Sequence, residues 1–496
     1  MIVIRINQLA EQLGVHRNTV RNWIKSGKLP ARSVSGKRYL VSEGDFGKLC
    51  QEFNLDRSSL KLKVVRGTVA PDDTEFAVVE ESLKSLGRKS DLLSPDPQWG
   101  DVCLTCGSCA GTCPISGVDG LDPRKVIRMV TLGLEKELIA SQWPWKCTLC
   151  GKCEEACPMN VEIVQLMRRV RSLRERDRLP GPIHKGISMC LEKGNNMGIP
   201  TEDFVELLQA LAEEMRQEGF TDFKAPVDIE GANLLVTVNS VEAFAEPDGM
   251  KHWWKILHAA GESWTIPSRN WEGVNWGYLG GDDEAMKAIV GNIVRNMERY
   301  RCKALLLPDC GHGYYATRYA LERWFVEETK HFRILTVLDL LVDYLKQGRI
   351  QVDPSVHTQV ATYHDPCHYG RKSLKAFGQG YFEEGRWIVR QCVPRMVEMY
   401  PNREGNYCCG AGGGSWAMPF REERVFHGAV KARQIRQTGA QMVVTACRGC
   451  RDQIAKSLRH EFDLDIEVKH LWELVADSLV RPSPEARWPF SNRIRV

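Results

Sequence analysis

The order of hydrophobic and polar residues divides the chain into stretches with different periods. Over residues 6–26 the apolar residues recur at helical spacing, which predicts two short helices around a tight turn. Residues 29–39 read as two short strands that reverse direction at Ser35 and Gly36, which predicts a hairpin. We therefore expect a small domain of helices and one hairpin over residues 1–53.

Further along, the pattern predicts a helical stretch followed by two α/β units. Helical spacing returns over residues 123–141 and over residues 161–178. Two later stretches, 233–350 and 351–482, then repeat the order of apolar strand, glycine-rich loop, long helix and second apolar strand. The remaining stretches are expected to form a connector, a helical linker and a tail, at residues 54–94, 181–232 and 483–496. The sequence therefore predicts a multidomain protein that ends in a duplicated α/β domain.

Composition favours an ordinary globular protein, with 43% hydrophobic and 26% charged residues and a formal charge of +4 over 496 residues. Apolar runs stay short of the roughly 20 residues needed to span a bilayer. The first residues lack the long apolar core of a secretion signal. We therefore expect a cytoplasmic protein that reaches the inner membrane only through a partner subunit. The 18 cysteines would stay reduced there, which makes them better explained as cofactor ligands than as disulfides.

Eight of the cysteines form two runs of identical spacing, C-x2-C-x2-C-x3-C-P, which end at Pro114 and Pro158. This spacing is that of two-cluster ferredoxins, in which the fourth cysteine of each run ligates the other cluster. One cubane 4Fe–4S cluster is therefore predicted on Cys103, Cys106, Cys109 and Cys157, and a second on Cys147, Cys150, Cys153 and Cys113. Zinc is a poor alternative for two complete copies of this spacing. We expect this ferredoxin domain over residues 95–180.

Five more cysteines lie late in the chain, after short apolar runs that predict strands or at the start of a glycine-rich loop: Cys367, Cys408, Cys409, Cys447 and Cys450. Thiolates are soft ligands that suit iron–sulfur clusters, and five are one more than an ordinary four-iron cluster needs. Adjacent cysteines such as Cys408 and Cys409 cannot easily serve two corners of one regular cube, whereas an irregular cluster could use both. A zinc site or scattered structural thiols remain the alternatives.

Both cysteine groups resemble those of one family. The eight early cysteines, with the flanking segments 122–125 and 145–151, resemble the α-helical ferredoxin domain of heterodisulfide-reductase-type proteins. The five late cysteines look like the cysteine-rich CCG domain of the catalytic subunits of these enzymes and their relatives. The resemblance is greatest to subunits of the membrane redox complexes of sulfate reducers. It implies a non-cubane 4Fe–4S cluster on the five cysteines, at which a disulfide is cleaved or formed.

The first α/β unit departs from this family pattern. Cys310 aligns with Cys447, but Gly313 stands at the position of Cys450. Asn275 and Trp276 stand at the positions of Cys408 and Cys409, so the first unit keeps one of five ligands. We therefore expect a degenerate CCG repeat over 233–350 and an intact repeat with the non-cubane cluster over 351–482.

The cysteine motifs predict an iron–sulfur oxidoreductase subunit, and the resemblance to heterodisulfide reductase implies that it reduces or forms a disulfide or trisulfide at the five late cysteines. Electrons would pass through the two cubane clusters. The resemblance implies partners: a flavin protein or a membrane cytochrome b-type subunit, and a small thiol or disulfide or a protein trisulfide carrier. An alternative is an electron-relay subunit of a flavin-linked lactate, glycolate or glycerol-phosphate dehydrogenase. A third is a DNA-binding, redox-sensing regulator.

Several residues near the late cysteines by motif position are also candidates for a role at the site. The glycines of residues 410–414 are expected to leave room for a substrate beside the metal. His312, His364 and His368 are interpreted as turn residues bonded to backbone rather than as proton donors. Cys310 is either a leftover buried thiol or a residue of the pocket. The cysteines without motif context are interpreted as apolar residues: Cys50, Cys190, Cys302 and Cys392.

Residues 1–53 resemble the small winged helix–turn–helix domains of the excisionase and MerR type. Basic residues outnumber acidic ones in this stretch. The second predicted helix would carry Arg17, Arg21 and Lys25 outward, as a recognition helix does in a major groove. DNA binding and a docking or dimerisation surface both remain open.

Overall fold

The computed structural model describes residues 103–308 and 310–480 throughout. Before them it describes only short stretches: residues 2–5, 10, 15–26, 28–29, 31–35, 38–41, 48, 51 and 63–64. Nearly all of the predicted connector 54–94, and the tail 483–496, lie outside the described residues. The chain divides into two compact units, Met1–Ser85 and Leu86–Val496.

The first unit contains one helix and an antiparallel sheet of four strands among its described residues. The elements are β1 (Ile2–Arg5), α1 (Arg17–Lys25), β2 (Ala31–Ser35), β3 (Arg38–Val41) and β4 (Lys63–Val64). Strands β2 and β3 pair antiparallel, as the hairpin prediction requires, and the sheet order is β2-β3-β1-β4. Helix α1 begins after His16, whose side chain accepts a hydrogen bond from the backbone of Asn18. The side-chain directions of Arg17, Arg21 and Lys25 lie outside the description.

The second unit opens with helices and contains no strand between residues 103 and 233. The helices are α2 (Ser108–Thr112), α3 (Pro123–Thr131), α4 (Glu135–Ala140), α5 (Trp143–Lys146), α6 (Lys152–Glu155), α7 (Ile163–Ser172), α8 (Gly181–Lys193) and α9 (Thr201–Gln217). Helix α3 begins where the sequence suggests, since Asp122 caps the backbone N–H of Lys125 and Pro123 occupies the first turn. The single helix expected over residues 123–141 is wrong, because Gly133 adopts a left-handed backbone (φ 70°) that separates α3 from α4.

The helix expected over residues 161–178 is also shorter than the pattern suggests. Helix α7 covers Ile163–Ser172 and is followed by a separate turn at Arg176–Arg178. A side chain outside the helix pairs with a backbone N–H of its first turn. The buried carboxylate of Glu154 accepts a hydrogen bond from the backbone N–H of Val164 at 2.6 Å. The helical pattern therefore located α7 but not its ends.

The rest of this unit contains two parallel four-stranded sheets. The first uses β5 (Leu234–Val236), β6 (Trp264–Thr265), β7 (Ala304–Leu307) and β8 (Arg333–Thr336) in the order β6-β5-β7-β8. The second uses β9 (Ala361–Tyr363), β10 (Met396–Val397), β11 (Met442–Thr445) and β12 (Glu467–His470) in the order β10-β9-β11-β12. The apolar runs of the sequence correspond to the buried central strands of each sheet. The outer strands escaped prediction because β6 and β10 have two residues each and β8 and β12 are partly exposed.

Helices connect the strands of both sheets. Around the first sheet they are α10 (Ser240–Ala245), α11 (Asp248–Ala259), α12 (Trp276–Gly280), α13 (Asp283–Tyr300), α14 (Gly311–Trp324) and α15 (Val337–Lys346). Around the second sheet they are α16 (Ser373–Phe377), α17 (Glu383–Cys392), α18 (Arg421–Thr438), α19 (Arg448–Gln453), α20 (Arg459–Glu461) and α21 (Leu471–Asp477). Among the described residues, no helix is both long and apolar enough to cross a bilayer.

A buried ion pair fixes the loop that follows β9. The Arg386 guanidinium is fully buried and donates two hydrogen bonds to Asp365, at 2.5 and 2.9 Å, and others to Glu398. Asp365 stands two residues before Cys367, and its second oxygen also accepts from the backbone of Arg403. The pair therefore joins helix α17 to the chain segments that lead into the late cysteines.

We expect Arg386→Met to lower the free energy of unfolding by about 3–5 kcal/mol, because it leaves the buried Asp365 carboxylate without its partner. The measurement is urea unfolding of the anaerobically purified chain, followed by tryptophan fluorescence. The control is Arg178→Ala, which breaks an exposed ion pair with Glu175 and should cost less than about 0.5 kcal/mol. Equal effects of the two variants would contradict this role of Arg386.

Candidate metal centres

The two loops that begin the early cysteine runs have the same backbone geometry. Thr105 (φ 50°) and Gly107 (φ 86°) are left-handed in the first loop, and Leu149 (φ 52°) and Gly151 (φ 74°) are left-handed in the second. Each loop then enters a short helix, α2 or α6. This shared turn geometry lets the first three thiols of each run converge, as cluster-binding loops require.

Two cavities lie beside these loops. One is lined by Cys103, Cys106, Cys109 and Cys157. The other is lined by Cys113, Cys147, Cys150 and Cys153. Each cavity thus receives three thiols from one run and the fourth from the other, the same division that the spacing predicts. The donor set of each cavity fits one four-iron cluster.

The five late cysteines form one buried group, which we call the five-thiol group: Cys367, Cys408, Cys409, Cys447 and Cys450, each at most 8% exposed. Cys367 and Cys447 follow the adjacent parallel strands β9 and β11, whose carboxyl ends meet at one edge of the sheet.

Contacts between sulfur atoms run continuously through this group. The Cys408 sulfur lies beside those of Cys367 and Cys409. The Sγ atoms of Cys409 and Cys450 lie 3.3 Å apart, and Cys450 in turn contacts Cys447. The tertiary structure therefore brings together all five thiols that the sequence singled out.

The five-thiol group also touches the second cavity. The sulfur of Cys150, which lines that cavity, lies within 4.8 Å of the Cys408 sulfur. His427 of helix α18 lies at the same junction, where its ring and the two sulfurs place their ligand atoms within 4.8 Å of one another. No sequence pattern predicts this contact, since Cys150 and Cys408 are far apart along the chain.

Four buried cations surround this junction: Arg171, Arg371, Lys372 and Lys431. Among the described residues their hydrogen bonds go only to neutral acceptors, such as carbonyl oxygens, the Tyr278 hydroxyl and the Asn406 amide oxygen. Burial lowers the pKa of the Lys431 ammonium to about 8 and that of the Arg171 guanidinium to about 10.

Buried cations without carboxylate partners are costly unless other negative charge lies nearby. The sulfurs of the five-thiol group and of the second cavity are the candidates for that charge, since metal-bound cysteines are thiolates. The four cations therefore fit thiolate-ligated clusters at both places better than they fit neutral thiols.

The glycine-rich loop of residues 410–414 does not provide the open space expected of it. A Cβ atom on Gly412 would lie 2.5 Å from the carbonyl oxygen of Thr148, and one on Gly413 would collide with the carbonyl oxygen of Cys147. The loop instead packs against the backbone of the second early cysteine run. Glycine is needed there for close approach of two chain segments rather than for a substrate.

The interpretation of the three histidines as backbone-bonded turn residues holds for His312, whose Nε2 lies 3.3 Å from the carbonyl oxygen of Asn275. It is wrong for the other two. His364 has no hydrogen-bond partner at either ring nitrogen among the described residues, and it lies within 4.8 Å of the Cys409 and Cys450 sulfurs. His368 places its Nδ1 3.4 Å from the Cys367 sulfur.

Burial decides the charge of these rings. It lowers the pKa of His364 and of His368 well below the usual range of histidine, so both are neutral imidazoles. His427, which the sequence reasoning overlooked, stands four residues before Lys431 on helix α18. That spacing places both residues on one face of the helix, the signal that could have found them.

Cys310 also joins the site. It lies directly before helix α14, and its thiol lies beside the Cys447 sulfur. The cysteines interpreted as apolar residues, Cys190, Cys302 and Cys392, are buried away from these groups, and Cys50 lies outside the described residues.

Comparison with known proteins gives three matches to domain families. Residues 99–161 match the 4Fe-4S dicluster domain, residues 361–455 the cysteine-rich domain, and residues 3–48 a helix–turn–helix domain. The chain is similar to heterodisulfide-reductase-like iron–sulfur subunits. The resemblance stated from the cysteine motifs is thereby confirmed. The matched domains indicate 4Fe–4S clusters, and the multidomain organisation with parallel α/β sheets is confirmed as well.

Individual relatives are distant. The Hdr-like menaquinol oxidoreductase iron-sulfur subunit 2 of Archaeoglobus fulgidus is 24% identical over 334 residues, or 58% of each chain. One of the subunits of the dihydromethanophenazine:CoB–CoM heterodisulfide reductase of Methanosarcina mazei is 29% identical over 205 residues, 38% of this chain and 46% of that one. The EtfAB:quinone oxidoreductase of Syntrophomonas wolfei is 24% identical over 38% of this chain and 28% of that one. The chain thus spans less than two thirds of the length of these relatives.

The contact between the glycine-rich loop and the dicluster domain can be tested with two matched glycines. Gly413 (φ +63°) and Gly439 (φ +62°) share one backbone conformation, but a Cβ atom on Gly439 would have nothing within 4 Å. We expect both alanine variants to lose about 1–2 kcal/mol of stability through backbone strain. Gly413→Ala should lose roughly 1–3 kcal/mol more through overpacking, and iron with it. Urea unfolding and iron per chain are the measurements, and equal losses would contradict the contact.

Proposed function

We propose that this chain is the iron–sulfur subunit of a redox complex that reduces or forms a disulfide or trisulfide at the five-thiol group. Two cubane 4Fe–4S clusters would be held by the early cysteines, within residues 95–180, and one non-cubane 4Fe–4S cluster by the five-thiol group. The observation that carries this proposal is the closeness of the Cys150 and Cys408 sulfurs, which lie within 4.8 Å of each other and leave no protein layer between the second cavity and the five-thiol group. Iron–sulfur clusters supply electrons one at a time when bound at such sites.

The chain's own residues define the conditions at this site. Burial of the five-thiol group excludes water from the sulfur atoms. Arg371 donates to the carbonyl oxygens of Cys150 and Asn406, which holds the second early loop against the loop before Cys408. His364 stands as a neutral imidazole within 4.8 Å of the Cys409 and Cys450 sulfurs, where its ring N–H can donate a hydrogen bond to a thiolate.

A single non-cubane site fits the first α/β half, which we propose to be a degenerate copy of the second. The two sheets share one strand order. In the first half, the Asn275 side chain accepts from the backbone of Tyr278 and donates to Met286, at the position that aligns with Cys408. A Cβ atom on Gly313, which aligns with Cys450, would lie 2.7 Å from the carbonyl oxygen of Gly273. Backbone and an amide therefore occupy the space that a second cluster would need.

An electron-relay role is the alternative with direct support from the comparisons, because two relatives are named as quinol or quinone oxidoreductases. In this role the same clusters would pass electrons between a flavin protein and a membrane cytochrome b-type subunit, without chemistry on sulfur. Attachment to the inner membrane through such a subunit suits both roles. They differ in whether an added thiol binds at the five-thiol group.

We expect about twelve iron atoms per chain in the wild-type protein and about eight in Cys450→Ser, since one of three four-iron clusters would be lost. Low-temperature EPR of the oxidised protein should show a paramagnetic signal that depends on an added thiol and disappears in Cys409→Ser. Cys302→Ser is the control, because Cys302 is buried against the Tyr300 carbonyl and should change neither result. Signals from two ordinary cubes alone would favour the relay, and zinc at this position would refute both roles.

DNA binding by residues 1–53, as a winged helix–turn–helix, is a second candidate function. The match of residues 3–48 to a helix–turn–helix domain and the β2–β3 hairpin that follows α1 along the chain favour it. A regulator of this kind would couple DNA binding to cluster oxidation.

We expect the full chain to retard duplex DNA in gel electrophoresis, with binding that weakens steeply as salt rises. Joint replacement of Arg17, Arg21 and Lys25 by alanine should abolish the retardation, because it removes the basic side chains of α1. Replacement of the exposed Arg178 by alanine should leave it unchanged. If the triple variant binds as the wild type does, α1 is not a recognition helix.

A further inference from the structure

Cys310 stands at a position of the first α/β half that aligns with a cysteine of the five-thiol group. The first half has no cysteine to match the other four. The backbone of Cys310 (φ −141°, ψ 121°) nearly repeats that of Cys447 (φ −131°, ψ 121°), and each residue directly precedes a helix, α14 or α19. Gly313, Asn275 and Trp276 stand at aligned ligand positions of the first half. The ligand set that surrounds Cys447 in the second half is therefore not repeated around Cys310.

Cys310 and the residue after it lie against the second α/β half. The Cys310 thiol lies beside the Cys447 sulfur, and the backbone N–H of Gly311 faces the same sulfur. A Cβ atom on Gly311 would lie 3.1 Å from the Tyr369 ring and 3.4 Å from His368, so glycine permits this close approach. The start of helix α14 is thus built against the five-thiol group.

Cys310 is more exposed to solvent than the thiols of the five-thiol group. All five are buried, whereas Cys310 is half-buried. Next to it, the His312 and His368 rings lie 5.5 Å apart, and the Nε2 atom of the buried His368 has no partner among the described residues. Of the neighbouring residues Cys310 and Cys447, Cys310 is therefore the more exposed.

A disulfide substrate has two sulfur atoms, and a single non-cubane cluster would bind one of them. We propose that Cys310 takes the other, by forming a mixed disulfide with half of the substrate; this rests on the proposed function. The Cys310 thiolate attacks one sulfur of R–S–S–R′, which forms a Cys310–S–S–R bond and releases R′S⁻. Two electrons, which bound iron–sulfur clusters would supply singly, are needed to cleave that bond to the Cys310 thiolate and RS⁻. Two protons from solvent complete the two product thiols.

The test uses the full chain, loaded with clusters and kept anaerobic, with bis(2-hydroxyethyl) disulfide as the probe. Without reductant, the wild type should release mercaptoethanol and retain a mercaptoethanol adduct on the peptide that contains Cys310, identified by mass spectrometry after acid quenching. Dithionite should remove the adduct. Cys310→Ser should lose the adduct and the catalysed reduction of the probe, while it keeps the wild-type iron content and thiol-dependent EPR signal. Cys302→Ser should behave as the wild type does.

Other results overturn the inference. If Cys310→Ser reduces the probe at the wild-type rate and the wild type forms no adduct, Cys310 takes no part in the reaction. The proposed function is unaffected by that result. A loss of iron or a changed EPR signal in Cys310→Ser, and equally in Cys310→Ala, would make Cys310 a cluster ligand instead. Failure of the proposed function is recognised separately, by a wild type that has its full iron, shows no thiol-dependent signal and does not reduce the probe.

Discussion

A guanidinium buried without a carboxylate has to be stabilised by the dipoles of neighbouring carbonyl groups, and Arg171 receives these groups from three parts of the chain. Its side chain is fully buried. It donates to Pro144 and Cys147 in the dicluster domain, to Leu279 in the first α/β half and to Gly413 in the glycine-rich loop, at 2.7 to 3.0 Å. Movement of any one of these segments would leave buried polar groups unsatisfied, so Arg171 fixes all three relative to one another.

The same constraint explains where the sulfur atoms lie. Arg371 fixes the carbonyl oxygen of Cys150, as Arg171 fixes that of Cys147. The loop that carries Cys147 and Cys150 is therefore held from two sides, against the glycine-rich loop and against the segment before Cys408. Contact between Cys150 and Cys408 follows from this arrangement. The positive charge that holds the loops also favours negative charge on the sulfurs between them.

The two α/β halves contribute different parts of this site. The second half supplies the five-thiol group from the carboxyl ends of β9 and β11 and from the loop before α18. The first half supplies no comparable group among its described residues, but it closes the site with the start of α14 and with Tyr278, whose hydroxyl accepts from Lys372. The first half can thus close the site without a thiol group of its own, because these contacts are made by backbone and by side chains other than cysteine ligands.

The sequence by itself determined the candidate ligands and their division into groups, because cysteine spacing of two or three residues depends only on local turn geometry. It also located the central strands, since a buried strand needs a continuous apolar run. Tertiary structure alone decided the contact of Cys150 with Cys408, the packing of Gly412 and Gly413 against Thr148 and Cys147, and the placement of His427 and Cys310. The first two of these contacts are held by buried cations that bond to the carbonyl groups of Cys147, Cys150 and Gly413, and a carbonyl group is the same at every residue and leaves no trace in the sequence.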